Sequence, residues 1–166
     1  MTNRMPVFLL VTMIVFSISA TVAFGADIFV GTWKVNIAKS KYDPGPAPKV
    51  PSITDVTAVG DGLKFVQDGV AGTGQKTHGE FTVKFDGKDY PAKGTIDGKP
   101  DPTYQDMISA KKIDDYTFEF TSKLKNKIIQ VQKVVFSKDG KTRTVTQTGT
   151  NAQDKPFNNT VIYDKQ

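Results

Sequence analysis

The chain has 166 residues, with 22 lysines and arginines against 17 aspartates and glutamates, one histidine and no cysteine. That length suits one domain with its own core, and the missing thiols exclude a disulfide framework, a lipidated N-terminal cysteine and any thiolate metal site. The basic excess is carried by lysines scattered among acids. It therefore reads as solvated strand faces and turn flanks, and nucleic acid, which calls for a clustered patch, is not an expected partner.

Arg4 is the only charge before Asp27, and residues 5–26 are apolar or small. A basic start, an apolar stretch and a small-residue end describe a secretory signal peptide, and Ala23 and Gly25 place the cut after Gly25. An uncleaved anchor is the other reading, because the stretch is almost long enough to span a bilayer. The small residues and the polar chain that follows favour cleavage. The expected organisation is a signal peptide over 1–25 and one domain over 26–166. The product would be exported to a periplasm or the extracellular space, would not be a lipoprotein and would keep no membrane span.

From there period-two patterning dominates. Phe29, Gly31, Trp33, Val35 and Ile37 share one face of a first strand, with Val30, Thr32, Lys34 and Asn36 opposite, which is the pattern of a half-buried strand. The stretch 43–51, "DPGPAPKVP", holds four prolines. It fits neither a helix nor a central strand and reads as a stiff extended connection crossing a barrel end. Alternation returns at Leu63 and Phe65, at Phe81, Val83 and Phe85, and at Tyr116, Phe118 and Phe120. Asp-Gly pairs at 61–62, 68–69, 86–87, 97–98 and 139–140 are hairpin-turn signals. Ten strands are predicted, near 28–37, 52–59, 62–68, 76–86, 89–94, 104–113, 115–123, 127–137, 141–149 and 157–164. Loops fall at Gly69 to Gly79 and Gly94 to Pro102. The run "IIQVQKVVF" does not alternate cleanly, which suggests a bulge. No helix is predicted after residue 26. The fold class is all-β: an antiparallel up-and-down meander of about 8–10 strands closed into a barrel, which hides its edges, with a two-sheet sandwich as the alternative.

Gly31-Thr32-Trp33 at the start of the first strand resembles the Gly-x-Trp opening of the calycins, the lipocalins and fatty-acid-binding proteins. "FVGTWK" resembles the start of a fatty-acid-binding protein in particular. Asp114-Asp115-Tyr116 is similar to the second lipocalin motif, Thr-Asp-Tyr, and Arg143 to the late arginine that packs on the tryptophan. "GTWKVNIAKSKYDPGPAPK", "SKDGKT" and "GTNAQDKPFNNTVIYDKQ" look like small exported bacterial proteins of lipocalin-like kind, which carry no assigned activity. The resemblance implies a barrel plugged at one end by Gly31, Trp33 and Arg143. Three departures stand out. A proline-rich segment replaces the helix pair of fatty-acid-binding proteins, their Arg-x-Tyr is missing after Arg143, and no lipocalin helix precedes the last strand.

Few residues suggest chemistry. His78 shares parity with Glu80, Thr82 and Lys84 and so faces outward; no second His or Cys completes a transition-metal site. No Gly-x-Ser-x-Gly elbow and no phosphate loop are present. Asp114 and Asp115 read as turn residues. No metal, cofactor or catalytic residue is expected, and binding is favoured over catalysis. Arg143 shares parity with Val145 and points inward, where two roles fit: stacking on Trp33 while bonding carbonyls at a closed end, or pairing with an acidic ligand. Phe65, Phe81, Phe85, Tyr116, Phe118 and Phe120, with Arg143, are the candidate interior residues. They either fill the barrel solidly or line a cavity for a small apolar or amphipathic ligand. The alternative function is a solid-core interaction module that meets a protein partner through loops or a sheet edge.

Overall fold

The computed structural model describes residues 27–151 and 154–166; the expected signal peptide and its cut lie outside the described residues. Among those residues no helix is long and apolar enough to cross a membrane.

The strands are β1 (Gly31–Val35), β2 (Ile53–Val59), β3 (Gly62–Val70), β4 (Lys76–Val83), β5 (Tyr90–Ile96), β6 (Lys99–Pro100), β7 (Met107–Lys112), β8 (Thr117–Leu124), β9 (Lys127–Phe136), β10 (Thr142–Thr150) and β11 (Pro156–Lys165). All pairings are antiparallel. β1 joins β2 and β11, neighbours in sequence pair around the rest, and β4 pairs with β5 to close the circle. The result is the lipocalin-like meander barrel, with ten strands in its wall and the two-residue β6 folded onto the end of β5. Closure pairs the long strands on both sides, and among the described strands only the two-residue β6 keeps an unpaired edge.

Several boundaries differ from the sequence reading: the strand expected over 104–113 begins only at Met107, that over 76–86 ends at Val83, and the loop expected from Gly94 to Pro102 holds the end of β5 and all of β6. β1 has only five residues, because Asp27 to Phe29 form a turn and Ile37–Lys39 a single 3-10 turn capped by the Asn36 side chain. Asp68-Gly69 lies inside β3 rather than in a turn, and the loop that follows narrows to 71–75. The chain leading into the proline-rich connection is itself part of the wall. It runs along β11, where Lys41 and Thr160 exchange two backbone hydrogen bonds and Asn158 donates to the Asp43 carbonyl, so it lengthens the wall where β1 stops. The suspected bulge is real. The β8–β9 register slips after Ser122, pairing it with Gln130 while Lys123 meets Ile128.

The cross-strand rows show where the core sits. Towards the end that holds the 60–61 and 137–141 turns, inward residues are apolar: Leu63 beside Val83, Phe65 beside Phe81 and Ala92, and Phe118, Val134, Val145 and Val161 in one line. One row further on, apart from Ala110 and Phe120, they become amides or glycine: Gln67, Gly79 and Gly94 on one side, Gln132, Gln147 and Asn159 on the other. One half of the barrel is therefore packed solid and the other is lined with polar side chains.

Candidate functional site

Phe29 fills the solid half. Its side chain is fully buried, and its ring lies 4.6 Å from Phe136, 4.8 Å from Phe118, 5.4 Å from Phe85 and 5.8 Å from Phe65, between centroids. The Phe85 contact is stacked and the other three are edge-to-face; aromatic pairs of either kind add about 0.5–1.5 kcal/mol each beyond burial. The backbone around it is fixed from β1, where Trp33 Nε1 donates to the Phe29 carbonyl at 2.7 Å. Gly31 has φ 126°, a conformation that favours glycine, whereas the atom a Cβ there would meet, Lys165 Cε at 2.8 Å, belongs to the movable end of a flexible side chain.

Trp33 is fully buried and its ring receives two cations, the Arg143 guanidinium carbon at 4.9 Å and Lys165 Nζ at 5.3 Å. Arg143 also sits 4.4 Å from the Tyr163 ring centre. Trp33 and Arg143 are thus stacked on one another, and Gly31 stands beside Lys165. The predicted hydrogen bonds from Arg143 to carbonyls are not made. Nε is buried without a partner, and among the described residues no carboxylate stands within ion-pair distance. Only 4 % of the residue is exposed, and burial pulls the guanidinium down to about 10, still charged at neutral pH. The same burial raises the Tyr163 phenol, opposed by the neighbouring Arg143 charge. Two aromatic faces satisfy the π side of a guanidinium but none of its five N–H groups.

Arg143 borders a cavity of about 40 Å³ in mid-barrel. Its apolar wall includes Phe29, Phe65, Phe81 and Phe120; its polar wall is Gln67, Gln105, Gln132, Arg143 and Tyr163. At about 10–15 Å³ of such volume per water, it holds roughly three waters, or one carboxylate-sized group. Of the interior residues read from sequence, Phe65, Phe81, Phe120 and Arg143 line the cavity. Phe85 and Phe118 pack beneath it around Phe29. Tyr116 does not belong inside. It is 41 % exposed, because β8 begins only at Thr117 and Asp114 accepts the Tyr116 N–H in a tight turn, which swings the side chain out of alternation.

The glutamines were not singled out from sequence. Gln67 lies within the strand expected over 62–68 and shares parity with Leu63 and Phe65, so following the alternation one step past Phe65 finds it. Gln132 is hidden by the bulge, and Gln105 by a segment without periodicity. His78 faces outward as expected, its Nδ1 2.8 Å from Asp68. No cluster of three metal-ligating side chains occurs among the described residues.

No protein-family model and no curated protein matches the chain. One solved structure it resembles is the crystal structure of zebrafish ileal bile acid-binding protein complexed with cholic acid, with a TM-score of 0.49 at 16% identity over 84% of this chain and 99% of that one.

Proposed function

We propose that this is an exported binding protein that holds a small amphipathic anion in the polar half of its barrel, without chemistry. The acidic end meets Arg143, and the rest of the molecule lies among the amide side chains. The observation that carries the reading is a buried guanidinium, its Nε without a hydrogen-bond partner, on a cavity of head-group size. A charge removed from water without a partner is strongly unfavourable, and an oxyanion supplies the missing acceptors in a charge-assisted, bidentate fashion. The glutamines offer further donors, and the phenylalanines an apolar floor. Export is supported by the composition of the first 25 residues, and places the protein in a periplasm or outside the cell.

Native mass spectrometry of protein from its own host, with titration calorimetry against octanoate, tests this. A co-purifying acid, or octanoate binding that is lost in Arg143→Met, is expected. No bound species and no heat at millimolar octanoate would sink it. The second reading, an interaction module with a solid core, is favoured by Phe29 and its ring partners filling half the interior, and would then take its place.

A further inference from the structure

Tyr104 does something the barrel does not need. Gly79 of β4 and Gly94 of β5 are direct cross-strand partners on the inward face. A Cβ on Gly79 would collide with the Tyr104 hydroxyl, and one on Gly94 with Tyr104 Cγ. The tyrosine side chain therefore lies across both strands on bare backbone. The row continues to Gln67 of β3, and the adjacent row, Phe65, Phe81 and Ala92, contributes two residues to the cavity wall. Tyr104 thus borders the space above the Arg143 cavity.

We propose that the Gly79–Gly94 pair is a seat for a planar ring, that Tyr104 is a displaceable stopper now sitting in it, and that the bound anion carries an aromatic ring which takes its place. This rests on the barrel-binding reading and adds the class of ligand. Covering two glycines with an aromatic side chain is a known stabilising device in sheets, but phenylalanine does that as well. Here the hydroxyl is buried without a partner, which makes the seated state less favourable than its packing alone. The residue also comes from 101–106, which is not a strand. That segment fills the seam where β5 and β7 share only Tyr90–Ile108 and Pro91–Met107, held by Asp101 donating to Gly94 and Ala92 donating to Asp106. Two clefts, of about 240 and 470 Å³, have Tyr104 in their walls. The first shares Gln67 with the interior cavity and the second shares Gln105. A ring leaving the seat has space to go to, and joins the head-group cavity to a volume large enough for the rest of a ligand.

The test is calorimetry of naphthalene-2-carboxylate against the full chain and two variants, with octanoate as the ringless acid. Tyr104→Ala removes the stopper and its competition for the seat, so it is expected to bind the naphthoate about tenfold tighter. Adding Gly94→Val refills the seat from the backbone, and is expected to return affinity to the parent value or below. An unchanged affinity in folded Tyr104→Ala, or a gain that survives Gly94→Val, overturns the proposal. Should Tyr104→Ala fail to fold, the parent protein decides. Saturating naphthoate must abolish nuclear Overhauser contacts between the Tyr104 ring and the Gly79 and Gly94 α-protons, and contacts that persist overturn it. If octanoate binds and the ring acid gains nothing, only the seat falls; if neither acid binds any form, the barrel-binding reading falls with it.

Discussion

Arg143 joins a structural part to a binding part, and the two separate by substitution. It stacks on Trp33 and Tyr163, while its burial opposes the charge and lowers its pKa to about 10. Replacing a buried charge by an apolar side chain of similar volume is often neutral or stabilising, so Arg143→Met, which keeps the packing and drops the charge, is expected to unfold at the same temperature as the parent or higher. Arg143→Ala, which also leaves a cavity, is expected to unfold lower. The pH dependence has a definite sign. The folded guanidinium gives up its proton near pH 10 and the unfolded one only above that, so folding releases a proton in that window. Parent stability, measured by urea denaturation relative to Arg143→Met, is expected to be flat below about pH 9 and to rise from pH 10 upward. A fall over that range would mean the folded state stabilises the charge.

β9 and β10 show how one irregular residue is accommodated. The bulge pushes the Ile129 carbonyl against the inner face of Gly149, where any Cβ would collide with it. Since that obstacle is backbone and not a flexible side chain, Gly149→Ala is expected to destabilise by about 1–3 kcal/mol or more, seen as a lower denaturant midpoint with an unchanged slope. The alternation that located ten wall strands comes from short-range sterics and burial on one face. It failed where an element is irregular: at the ends of β1, at the β8–β9 bulge, and at Tyr104 and Gln105, whose segment follows no period.

The molecule as a whole is a closed barrel with one weak seam. β10 pairs along nine residues with β11, while β5 and β7 share two pairs and leave the rest to the 101–106 segment. Local opening follows the elements with fewest protected backbone hydrogen bonds. In hydrogen exchange, amides of 101–106 and the Ala92 amide are therefore expected to exchange well before those of β9 and β10. Uniform protection around the barrel would remove the seam as a route to the interior. A net charge of +5, without a clustered patch, adds no competing account of the surface.

Sequence by itself determined the antiparallel meander, the inward Trp33 and Arg143, the outward His78 and the positions of most turns. Each follows from local rules: the two-residue period of a strand, the backbone freedom of Asp-Gly and the exclusion of proline from sheet interiors. Only the tertiary structure decided that the barrel is half filled, that Phe29 does the filling, that Arg143 lacks hydrogen-bond acceptors, and that Tyr104 lies on two facing glycines. Those features depend on which side chains from strands distant in sequence meet inside one closed wall, and periodicity along a single strand carries no information about what stands across it.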